Sequence, residues 1–157
     1  MQSTETLLKV IELLAEYEIM IGWLYKEYAQ KFLDWKDFWS RLSVEERGHA
    51  NWILKLRSKI KEGSVYFKED RFNKEAIKTS LKYLNNQLSE AQMQDISLIK
   101  ALSIARDIEN GLIEKKFFEV FEGDPIELKH VLLNLAAATR EHYNRIEKVW
   151  KEAKQLV

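Results

Sequence analysis

The feature that most constrains this chain is an apolar stripe of helical period. Leu7, Ile11, Leu14, Glu18, Ile21, Tyr25, Tyr28 and Phe32 follow one another at gaps that alternate between four and three. Such gaps place side chains along one face of an α-helix, as on a helix buried on one side of a bundle. Glu12, Glu16 and Glu27 fall off the face and read as solvated. The one acidic residue on it is Glu18.

The pattern returns three times. Trp39, Leu42, Glu46, His49, Ile53, Leu56 and Ile60 form a second stripe, with Asp34 as its expected N-cap and Gly63 as its C-terminal stop. Leu98, Leu102, Ala105, Glu109, Leu112 and Ile113, then Phe117 and Val120, form a third, drifting by one residue as 3.6 residues per turn requires. Leu128, Leu132, Leu135, Thr139, His142, Ile146, Val149 and Ala153 form a fourth. Before it, Asp124 is expected as N-cap, Pro125 as the first helical residue and Glu127 as the partner of a capping box. Residues 64–71 read as a polar connection, and "NKEAIKTSLKYLNNQLSEAQ" as a shorter helix lying along the bundle. Five Gly and one Pro in 157 residues leave little material for the turns of a β fold. The expectation is an all-α four-helix bundle, one domain over residues 1–157, with one long crossover containing the shorter helix.

Composition narrows the function classes. The chain has no Cys, which removes disulfides, thiol catalysis, zinc knuckles and thiolate-bound iron–sulfur clusters. The 25 basic and 25 acidic residues cancel, so no basic face invites nucleic acid or an anionic membrane. No apolar run reaches a membrane-spanning length, and a soluble, cytoplasmic protein is expected.

The informative residues are polar ones within the stripes. Each long helix carries some: Glu18; Glu46 with His49; Glu109; Thr139 with His142. Antiparallel helices bring their midpoints to one level. A buried carboxylate costs several kcal/mol unless it is paired or binds a metal, so three at one level demand cations. No stripe offers Lys or Arg there. Nitrogen and oxygen donors without sulfur suit iron, manganese or zinc.

Glu-x-x-His alone is a weak motif. Glu127 and His130 share the spacing, but His130 is turned about 200° from Leu128 at ~100° per residue and faces solvent. Ser43 to Glu46 also reads as a capping box, which would start a helix at Ser43 and expose Glu46; the unbroken stripe through Trp39 and Leu42 argues against it. Glu45 lies off the stripe. His49 also reads as a lone core histidine satisfied by a neighbour.

Taken together, these residues resemble the rubrerythrin-type, ferritin-like family of non-haem di-iron carboxylate bundles. Its signature is one Glu from each of two helices and Glu-x-x-His from each of the other two. Glu18 and Glu109 match the single glutamates, and Glu46 with His49 matches the first Glu-x-x-His. Glu18 followed by Tyr25 also resembles the family's first helix. The resemblance implies one or two non-haem iron ions held by Glu18, Glu46, His49, Glu109 and His142. It makes Glu46 the bridging carboxylate and the histidines terminal ligands. It further implies chemistry on peroxide, O2 or ferrous iron, an external electron donor, and self-association as a dimer.

One position departs from the family. In "TREH", Thr139 stands where the family carries a second bridging Glu, and Glu141 points ~100° away from the His142 face. Two divalent ions would then face three glutamates, leaving one positive charge for hydroxide or another anion. A degenerate bundle that binds one ion or none is the competing expectation. A third is a plain helical interaction module using the aromatic cluster "FLDWKDFW".

Overall fold

The computed structural model describes residues 3–114 and 116–156, and every regular element among them is helical. The α-helices are α1 (Thr4–Lys31), α2 (Lys36–Leu54), α3 (Leu56–Glu62), α4 (Lys74–Met93), α5 (Leu98–Glu114) and α6 (Ile126–Gln155). Short 3₁₀ turns occupy Leu33–Trp35 and Glu69–Arg71. No helix is long and apolar enough to cross a membrane.

The stripes are the core. Leu7, Ile11, Leu14, Ile21, Tyr25 and Tyr28 of α1 are buried, as are Trp39, Leu42 and Ile53 of α2, Leu102, Ala105 and Leu112 of α5, and Leu128, Leu132, Leu135 and Ile146 of α6. The "FLDWKDFW" segment feeds mostly into this core. Trp39 is fully buried against Tyr28 and Phe38, and only Leu33 of the segment's large apolar side chains is well exposed.

Helix α1 packs chiefly on α2 and α4, and α5 on α6. The α1–α2 contact is close because Gly22 lacks a side chain: a Cβ there would meet the Ser43 carbonyl at 3.3 Å and Glu46 Cβ at 3.4 Å. Ser43 Oγ donates a 2.7 Å hydrogen bond to the Gly22 carbonyl across this contact. It lies one turn from both Glu18 and Glu46. Ser43 is therefore a mid-helix residue of α2, not the cap of a capping box.

Helix α4 is the crossover. Asn73 caps its start by accepting from the Ala76 amide, and at its end Lys31 Nζ donates to the Gln94 carbonyl at the C-terminus of α1. The start of α1 lies by the segment that precedes α4, where Leu7 shares a cleft with Phe67 and Arg71. So α4 runs alongside α1 in the same direction and returns the chain for α5.

Four boundaries differ from the sequence expectation. Asp34 sits inside a 3₁₀ turn, and Trp35 occupies the cap position of α2 without a side-chain bond. The second stripe is split at Lys55, whose N–H bonds both Asn51 O and Ile53 O, although Leu56 and Ile60 stay buried beyond it. The third helix ends at Glu114 because Lys116 takes a left-handed φ of 54°. Phe117 and Phe118 are buried from a turn instead of a helix face. Asp124 does not cap α6: its Oδ2 accepts from the Phe121 amide (2.7 Å) and from Arg71 (3.0 Å). The connection 64–71 is also less polar in its packing than in its composition, since Val65 and Phe67 are buried. Gly63, by contrast, ends α3 in the left-handed conformation expected of it, with φ 86°.

Candidate metal centre

All five expected metal ligands on the stripes are buried. Glu18, Glu46, Glu109 and His142 are 1% exposed and His49 4%. Glu18 lies near the middle of α1, Glu46 and His49 on α2, and His142 near the middle of α6. Glu109 is displaced toward the end of α5, because that helix stops earlier than its stripe suggested.

The centre of the cluster is Glu46. Its Oε2 lies 3.2 Å from His49 Nδ1, and its Oε1 lies 2.8 Å from His142 Nδ1. Glu109 Oε1 reaches the same His142 nitrogen at 3.0 Å. The two imidazole rings lie 5.0 Å apart between centroids, tilted by 34°. Glu46, His49 and His142 each offer a ligand atom within 4.8 Å of the others, close enough to hold a metal ion. His49 is thus no lone core histidine: its partner is a carboxylate shared with a second histidine.

The buried cluster holds three carboxyl groups and no Lys or Arg. Burial, then the charge of Glu46, pushes Glu109 up to about 8. Burial, reinforced by Glu46 and Glu109, pushes Glu18 well above the usual carboxylate range. Burial would also raise Glu46, but hydrogen bonds with His142 and His49 outweigh it and hold that carboxyl low. For His142, burial opposes the charge, and hydrogen bonds to Glu109 and Glu46 overcome it, raising the imidazole to about 11. In the metal-free protein an imidazolium thus serves as counter-ion to Glu46, while Glu18 and Glu109 favour protonation.

Among the described residues both oxygens of Glu18 and Oε2 of Glu109 accept no hydrogen bond, and a protonated Glu18 has the Glu46 carboxylate as its acceptor. An unsatisfied buried polar atom of this kind costs ~1–3 kcal/mol. A divalent cation beside these oxygens would satisfy them, and the nitrogen–carboxylate donor set suits such an ion.

One participant escaped the sequence reading. Glu45 is half-exposed, yet its Oε1 lies 3.0 Å from His142 Nε2, and it is paired with Arg145. Burial raises Glu45, but the bonds to Arg145 and His142 prevail and lower it. Helical register correctly placed the Glu45 backbone off the stripe. It did not account for the reach of a long side chain toward α6. The available signal was Arg145, three residues beyond His142 and therefore on its face, which invites an acidic partner.

Thr139 is buried and its Oγ1 donates to the Leu135 carbonyl at 2.8 Å, so it adds no charge to the cluster. His130 is exposed, as register required. Glu141 contacts Arg145 at 3.5 Å and stays on the outer face.

No family model, curated protein or solved structure matches the chain. Function must therefore be argued from the cluster itself.

Proposed function

We propose that this chain is a ferritin-like, rubrerythrin-type bundle that binds non-haem iron in its core and acts as an oxidoreductase on peroxide, O2 or ferrous iron. The observation that carries this reading is the convergence of buried Glu46, His49 and His142 beside carboxylate oxygens that accept no hydrogen bond. Glu18 and Glu109 would complete the ligand set, with Glu46 shared between ions where two are bound. Manganese or zinc would fit the same donors. When bound, the iron would supply one-electron redox chemistry at the centre of the bundle.

The chain's own residues prepare the site. His142 can present Nδ1 to an ion only after losing that proton, and Glu45 holds the opposite N–H, which fixes the ring's tautomer and orientation. Fully buried Tyr25, whose phenol feels the charges of Glu109 and Glu46, helps to keep bulk water from the cluster. Electrons would come from an external donor, and assembly as a dimer in the cytoplasm accords with this reading.

Titration with ferrous iron under anaerobic conditions tests it. Iron at 100-fold its Kd should stabilise the fold by ~2.7 kcal/mol. Glu46→Ala should abolish that gain. No uptake by the unmutated chain would defeat the proposal.

Thr139 favours a second reading, a degenerate bundle that holds one ion or none and serves structure or assembly. Peroxide consumption by the iron-loaded protein separates the two. If the natural chain turns over as fast as Thr139→Glu, the degenerate reading fails.

A further inference from the structure

A cavity of about 160 Å³ lies between α5, α6 and the turn that follows α5. Leu112, Phe118 and Ala136 form apolar walls, Thr139 lines it, and Lys116, Glu119 and Arg140 are exposed around it. Leu112 is one turn beyond Glu109, and Thr139 one turn before His142. The cavity therefore approaches the carboxylate cluster from the side on which Thr139 contributes no charge. A water occupies ~30 Å³ of the liquid, so there is room for a molecule of several heavy atoms.

We propose that this cavity admits a short aliphatic carboxylate, whose head group supplies at the metal the negative charge that Thr139 does not. The inference rests on the metal-binding reading above and names the ligand class of that same site. Four observations carry it. First, the Thr139 hydroxyl is spent on the Leu135 carbonyl and leaves its methyl group and the adjoining space to a guest. Second, Glu109 and His142 each lie one helical turn from a residue of the cavity wall, Leu112 and Thr139, so an ion held by them lies within a turn of the cavity. Third, the walls are apolar, which suits an alkyl chain of a few carbons and does not suit a fully hydrated anion such as phosphate. Fourth, two cations against one Glu at the rim give a net positive entrance, which raises the local concentration of anions.

The charge count points the same way where two divalent ions are bound: opposite Glu18, Glu46 and Glu109 they leave one positive charge, and one monocarboxylate removes it. The expelled water and the apolar wall together favour butyrate over formate.

The test uses full-length protein loaded with cobalt(II) under anaerobic conditions, after metal content has been measured. Formate, acetate and butyrate are titrated in turn, reading the visible ligand-field bands and the heat of binding. The inference expects saturable binding to the loaded chain, tightest for butyrate, and none to the metal-free chain. Thr139→Glu should bring its own carboxylate and weaken butyrate at least tenfold while still holding metal. Ala136→Phe, which fills the cavity and leaves the ligands untouched, should do the same and covers the case in which Thr139→Glu does not fold. A chain that takes up no cobalt sinks the metal-binding reading itself. A chain that takes up cobalt with bands unmoved by all three acids, or with butyrate equally tight in Ala136→Phe, overturns only the carboxylate inference.

Discussion

His142 Nε2 and Glu45 Oε1 lie 3.0 Å apart, on the side of the imidazole that faces away from Glu46 and Glu109. The ring is thus held at both edges, by buried carboxylates at Nδ1 and by a half-exposed one at Nε2. An acceptor at Nε2 keeps the proton there and leaves Nδ1 as the nitrogen that can meet a cation.

Glu45→Gln should accordingly weaken metal binding by ~10–100-fold while the fold persists, because outer partners of a ligating histidine are typically worth that much. Competition with a chromophoric chelator measures it. Affinity equal to that of the unmutated protein would show that Glu45 serves only the Arg145 ion pair.

Metal-free protein should lose stability as pH rises from 6 to 9. Glu109, at about 8, and His142, at about 11, both hold protons more tightly folded than unfolded. Stabilisation from such groups is complete below their unfolded values of roughly 4.3 and 6.5. It is lost as pH climbs through the folded ones. Glu46, whose carboxyl is held low, acts in the opposite sense, but only in acid below that window. Cations compete for the same sites, so metal affinity should rise over the range in which metal-free stability falls. Thermal melts at pH 6 and pH 9 with chelator present decide the first half; a flat or rising melting temperature would contradict it.

Ser43→Ala removes the hydrogen bond to the Gly22 carbonyl at the close α1–α2 contact beside that glycine. A loss of about 1 kcal/mol is expected. That corresponds to a fall of ~2–4 °C in melting temperature for a chain of this size. An unchanged melting temperature would mean that Gly22 packing alone sets the approach.

Arg71 and Asp124 form an ion pair whose side chains are 5% and 8% exposed, tying the segment before α4 to the turn before α6. Asp124→Ala leaves the guanidinium short of its counter-charge and should cost ~3–5 kcal/mol. Urea unfolding measures this; a cost below 1 kcal/mol would place the stability of this end of the bundle elsewhere, for instance in the stacking of Arg71 on Phe121.

The helices and the buried polar residues were legible because period is a property of the sequence. Four stripes named Glu18, Glu46, His49, Glu109 and His142 as inward-facing, and all five are buried. What the stripes did not carry was where a helix stops. Phe117 and Val120 continue the third stripe in spacing, yet Lys116 adopts a left-handed conformation and the two phenylalanines that follow enter the core from a turn. Asp124 similarly looks like a cap in sequence, but a buried arginine more than fifty residues away competes for it, and tertiary pairing wins. Glu45 was lost for the converse reason. Register gives the direction of a Cα–Cβ bond, whereas a glutamate side chain can cross to a neighbouring helix.

The most direct test is anomalous scattering at the iron edge from crystals grown with ferrous iron. A strong peak is expected inside the bundle, at about 2.0–2.2 Å from Nδ1 of His49 or His142, or both, and from a Glu46 oxygen, the spacing of nitrogen and carboxylate ligands to a first-row cation. Density without any anomalous peak among Glu18, Glu46, His49, Glu109 and His142, in crystals whose solution binds iron elsewhere or not at all, would contradict the assignment of these residues as a metal centre.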